Sequence, residues 1–215
     1  MTETPTAETA SRRDRIRDVI AAVLLILGLL LPWNVYFGLG ITATSGWIFA
    51  VLTAVTVLSL APVAASAADR RGIAGAAALT KLRPAASLPY LIVVAGFVLF
   101  TIGTSIHNGG TGIIAPGVGP GAWLGLAGAL LAAQSPTGGD RQRVALACRV
   151  IGWLSIVLAA AAALVNLYLR TRFVVSGIGG AAGAANLTTA TAGVLYSVVA
   201  VLPVLIAGRG IVSGH

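Results

Sequence analysis

Residues Val19–Phe37 read VIAAVLLILGLLLPWNVYF, a stretch without a single charge, and directly before it stands RRDRIRD, Arg12–Asp18. A run of about 20 apolar residues matches the ~30 Å hydrocarbon layer of a bilayer, and the basic flank suits an end held at the headgroups. A basic flank before an apolar stretch also describes a signal peptide, but this run is too long and no A-x-A site precedes a soluble domain. It is expected to be an uncleaved first span.

The rest of the chain repeats that pattern. Of 215 residues 57% are apolar and 9% charged, and the mean hydropathy is +0.95. A water-facing surface needs roughly a quarter to a third of charged residues. That excludes a cytosolic enzyme and a disordered regulator, and one cysteine excludes a secreted disulfide scaffold. The expected fold is all-α: a polytopic helical membrane protein of about six transmembrane helices in three hairpins, with both termini cytoplasmic. The spans run roughly over 17–38, 45–67, 86–106, 117–134, 144–169 and 190–208. Residues 1–16 read as a disordered cytoplasmic tail, 17–208 as the transmembrane domain and 209–215 as a short cytoplasmic tail.

Between the spans, Gly38–Ser45 turns the first hairpin. Ala68–Pro84 leaves the membrane with Asp69, Arg70, Arg71, Lys81 and Arg83, and its apolar middle, Gly72–Leu79, suits a short interfacial helix. Ser135–Arg143 is the next polar connection on that side. With six crossings, 12 of the 14 cations are cytoplasmic and only Arg170 and Arg172 lie outside, as the positive-inside bias prefers. The fourth segment is short. Pro116 and Pro120 break a helix there, Pro120 suits a first helical position, and Gly121–Gln134 then makes about 21 Å of helix. Whether 117–134 crosses or is re-entrant stays open, and the charge count favours a crossing. Trp33, Tyr36, Trp47, Trp123 and Tyr168 fall at the outer boundary, where amphipathic rings settle.

The net charge of +8 is carried by thirteen arginines and one lysine against six acids. That arginine bias, in an Ala-, Gly- and Val-rich chain, is the usage of a GC-rich actinobacterial genome. No dense basic patch is interleaved with aromatics, so nucleic acid is not an expected partner. The cations suit topology and anionic headgroups instead, Arg70 and Arg71 among them.

The acids Glu3, Glu8, Asp14, Asp18, Asp69 and Asp140 all read as tail or loop residues, leaving the spans without a carboxylate, lysine or histidine. An ion-coupled carrier needs such a group at membrane depth. Arg149 alone encroaches on a span, two turns from its inner end, and can snorkel to the headgroups. Arg170 and Arg172 are candidates for a partner or a lipid phosphate. His107, in the outer loop, lacks companions for a metal site, and Cys148 lacks a catalytic histidine. No cofactor or metal is expected. The sequon at Asn186–Thr188 reads as chance. Small residues at four-residue spacing form the clearest positive pattern: Gly121, Gly125, Ala129 and Ala133, then Ser155, Ala159 and Ala163. Close backbone approach drives helix association in lipid, so these stripes suit packing of the fourth and fifth helices or docking to another subunit. Asn108–Gly119 and Ser176–Thr189 are glycine-rich, nearly uncharged outer connections suited to the interface or a neighbour.

The sequence Arg15-Ile16-Arg17-Asp18-Val19, running into Leu29-Leu30-Leu31-Pro32-Trp33-Asn34 and Phe37-Gly38, resembles the opening of small actinobacterial multi-pass membrane proteins. Among these it is similar to the mycobacterial lipid-uptake coordinators, accessory subunits of Mce lipid-import complexes. The likeness covers about the first 60 residues and the span layout, and carries no residue roles. It implies an inner-membrane subunit beside a permease. The expected function is thus a non-catalytic accessory subunit, with permease-type subunits and lipids as partners. A respiratory accessory subunit is an alternative. So is a stand-alone carrier or flippase, whose cavity Asn34, Thr101, Thr104 and Asn166 would line.

Overall fold

The computed structural model describes residues 7–35, 46–107, 117–134, 141–177, 191, 195–196 and 198–209. These are helical apart from connecting turns and one two-residue bridge. In chain order they form α1 (Ala7–Leu30), β1 (Asn34–Val35), α2 (Gly46–Asp69), α3 (Ala76–Thr80), α4 (Arg83–His107), β2 (Gly117–Val118), α5 (Pro120–Ala133), α6 (Arg141–Gly177) and α7 (Val198–Arg209). Three helical stretches are long and apolar enough to cross a membrane: Ile48–Asp69, Arg83–His107 and Arg149–Leu169.

Helix α5 lies at the centre. It is only 14 residues long, about 21 Å, and all of it but Pro120, Leu124 and Leu131 is buried. Its small side chains explain the position. An ideal Cβ on Gly28 of α1 would stand 2.5 Å from the Gly125 Cα, and one on Gly128 would stand 2.8 Å from the Leu25 backbone nitrogen. Backbone therefore rests on backbone, and α1 and α5 run antiparallel as a seam. On its other side α5 meets α4, where the Gly125 position leaves room for the Tyr90 hydroxyl. Trp33 is buried over this junction, edge-on to Phe97 with centroids 5.3 Å apart.

The two helices of the seam complete each other. Pro32 has no N–H with which to continue α1, so the last carbonyls of the helix need partners from elsewhere, and Pro120 opens α5 as its first-turn proline. Gly121 donates its N–H to the Pro32 carbonyl at 3.1 Å, Gly119 to Trp33 O at 2.6 Å, and the Trp33 indole to Gly28 O at 2.8 Å. β1 and β2 extend the pairing antiparallel, Asn34 opposite Val118 and Val35 opposite Gly117. Lipid supplies no hydrogen bonds, so irregular backbone at depth must be paired within the protein. The C-terminal end of one macrodipole also meets the N-terminal end of the other.

Several expectations change here. Helix α1 begins at Ala7, so 7–16, read as part of a disordered tail, are helical. Trp33 and Trp123 are core residues, each 3% exposed, not members of an interfacial belt. Helix α6 continues to Gly177, which places Arg170 and Arg172 on a helix rather than in a loop. A short helix does form in the segment expected to hold one, as α3, which runs to Thr80 and is entered through Gly72 and Gly75 at φ 76° and 84°, a left-handed turn that favours glycine. The hairpin 38–45, the sequon and most of both glycine-rich connections lie outside the described residues.

Candidate functional site

One end of the bundle gathers its charges around Asp18. This residue precedes the apolar stretch of α1 by one position, and its α-helical address points it at α2 and α4. It is 3% exposed. Arg83, the first residue of α4, is fully buried and grips it with both arms of its guanidinium, Nη1 to Oδ1 at 2.8 Å and Nη2 to Oδ2 at 2.9 Å. The Ser66 hydroxyl, on α2, donates to Oδ2 at 2.7 Å and accepts from Arg83 Nη2 at 2.7 Å. Arg70, just past α2, adds a bond to Oδ2 at 3.1 Å. Arg83 Nη1 also reaches the Gln134 carbonyl at 3.2 Å, closing the C-terminus of α5. A cation at that end answers both an orphan carbonyl and the negative pole of the helix.

Around this pair, Arg17 bonds Asp14 at 3.1 Å, one helical turn back, and approaches Asp18 at 3.7 Å. The knot thus holds three guanidinium groups, Arg17, Arg70 and Arg83, against two carboxylates. A planar fork matched to a carboxylate is the geometry in which arginine outperforms lysine. Desolvating such a pair is costly, so it is sustained by the hydroxyl and carbonyl that complete its bonding. The reading of Asp18 and Arg83 as loop charges therefore gives way to a buried ion pair, the principal feature that sequence reasoning missed. The available signal was the helical period: Asp14, Arg17 and Asp18 share one face of α1, spaced by three and four residues.

The predicted candidates are scattered. Gly121, Gly125, Ala129 and Ala133 are buried in α5. Gly121 and Gly125 serve the seams with α1 and α4 rather than a contact with α6. Ser155 and Ala159 are buried in α6 and Ala163 is half-buried. The Ser155 hydroxyl returns to Ile151 O of its own helix. Helix α6 packs on α4, and Gly208 of α7 sits against Ile156 and Gly152. Arg149 is exposed; Arg70 joins the knot while Arg71 stays exposed. The side chains of Arg170, Arg172, Asn34 and Asn166 lie outside the described residues. Thr101 and Thr104 donate to carbonyls of their own helix, Phe97 O and Phe100 O. Among the described residues no group of three or more His, Cys, Asp or Glu could hold a metal ion.

Three span-length apolar helices and a buried short one, with a knot of ion pairs at one end, define a helical membrane protein. Within that class the chain belongs to the family described as Domain of unknown function (DUF7937), whose model matches residues 14–214. Comparison with curated proteins and with solved structures found no match.

Proposed function

We propose that this protein is a non-catalytic accessory subunit of a larger inner-membrane complex, an Mce-type lipid importer, and that it contributes shape rather than chemistry. One observation carries the reading. The carboxylate that enters the bundle is consumed: Asp18 has its oxygens occupied by Arg83, Ser66 and Arg70. A transported ion or a reacting group would need that carboxylate free. The outer faces of the helices are aliphatic, with Val57, Ile92, Leu99, Val157 and Leu164 exposed. Such faces suit acyl chains and neighbouring transmembrane subunits of the permease type.

In this reading the chain crosses a bacterial plasma membrane six times with both termini cytoplasmic. The charged knot then lies at the cytoplasmic boundary, and α1 and α5 are short crossings completed by the β1–β2 bridge. The antiparallel course of α1 and α5 and the cations at the knot support that arrangement. The test is purification of the tagged chain from its native membrane in mild detergent, followed by quantitative mass spectrometry. Integral permease subunits should appear at a fixed ratio. A lone monodisperse chain, or haem-bearing respiratory partners, would contradict the proposal.

A further inference from the structure

We propose that Arg17 and Arg70 form a binding site for the phosphodiester of an anionic phospholipid. The knot carries three guanidinium groups and two carboxylates, an excess of one positive charge that nothing within it neutralises. The unsatisfied donors of the knot are Arg83 Nε, which is sealed from the surface, and two nitrogens of Arg17. Arg17 Nη1 is held by Asp14, while Nε and Nη2 have no hydrogen-bond partner. Those two nitrogens are neighbours on one edge of the guanidinium plane, the side-on fork that takes two oxygens of one anion. Leaving a desolvated donor unmade costs free energy that an incoming acceptor recovers.

Position selects the anion. Arg17 stands two residues before the charge-free stretch beginning at Val19, which is the depth of the headgroup phosphates. Arg83 is sealed at 0% exposure and cannot reach a lipid, whereas the side chains of Arg17 and Arg70 keep 17% and 30%. These two flank Asp18 on opposite oxygens, Arg17 near Oδ1 and Arg70 on Oδ2. The Nε and Nη2 edge is itself buried, so a lipid phosphate engages it once the Arg17 side chain turns toward the surface beside Arg70. The excess of one positive charge favours a lipid of net charge −1, such as phosphatidylglycerol, over a zwitterionic lipid with the same phosphate. The site rests on the membrane reading and not on membership of a complex; a chain that bound lipid yet purified alone would separate the two.

Native mass spectrometry of the full chain in detergent, titrated with phosphatidylglycerol or phosphatidylcholine, tests it. One phosphatidylglycerol should be retained about tenfold better than phosphatidylcholine, and Arg17→Gln should remove about that factor. Arg13→Gln, an exposed arginine of the same helix, should leave retention unchanged. Equal retention of the two lipids, or an unaffected Arg17→Gln, overturns the site. Displacement by inorganic phosphate also overturns it, by assigning the fork to a free anion. Should Arg17→Gln fail to fold, the melting temperature of the unaltered chain in nanodiscs decides: higher with phosphatidylglycerol supports the site, and no difference overturns it.

Discussion

Ser66 shows how much one hydroxyl does at the charged end. It donates to Asp18 and accepts from Arg83, so it stands inside the ion pair and not beside it. Its removal leaves a buried carboxylate oxygen and a buried N–H each short of a partner, while adding no charge. Ser66→Ala should therefore lower stability by about 1–2 kcal/mol, measured as a reduced midpoint in thermal unfolding of the detergent-solubilised protein. An unchanged midpoint would show that the hydroxyl is incidental. Thr53, whose hydroxyl only returns to Phe49 O at an exposed site, is the matched control and should tolerate alanine.

At the scale of elements, the α1–α5 seam depends on the absence of two Cβ atoms. Gly28→Ala places a methyl against the Gly125 backbone, which cannot rotate away, and should cost about 1–3 kcal/mol by overpacking. Gly96→Ala, where nothing lies within 4 Å, should be neutral or slightly stabilising. Unfolding of the two variants side by side checks the contrast; equal effects would mean the seam is looser than described. The small-residue stripe of α5 was legible because close approach in lipid requires it. Its partner was not, since spacing reveals a packing face but says nothing about which helix fills it. Length was legible too: Pro120 and the short apolar run foretold a helix of 21 Å. What hid Asp18 and Arg83 was their sequence context. Both sit among other charges at the ends of apolar runs, so each looks solvated until the fold brings position 18 to position 83. Likewise Trp33 and Trp123 have the sequence position of interfacial rings, and only the α1–α4–α5 junction turns them inward.

For the molecule as a whole, the charged knot and the mutual capping of α1 and α5 close opposite ends of one seam. The first ties α1, α2, α4 and the end of α5; the second replaces the water that helix ends would otherwise use. A chain so arranged occupies the Asp18 carboxylate at one end and pairs its helix-end backbone at the other, and it offers aliphatic faces to its surroundings, which fits a subunit that shapes an assembly. That account stands on the Asp18–Arg83 pair being architectural, and a double-mutant cycle measures this directly. Asp18→Asn leaves Arg83 and Arg70 facing each other without an anion and should cost about 3–5 kcal/mol. Arg83→Met should cost less, because Asp18 keeps Arg70 and Ser66. The double variant should be no less stable than Asp18→Asn alone, giving a coupling of at least about 1 kcal/mol in unfolding experiments. Strictly additive losses, or an Asp18→Asn chain that folds as stably as the original, would contradict it.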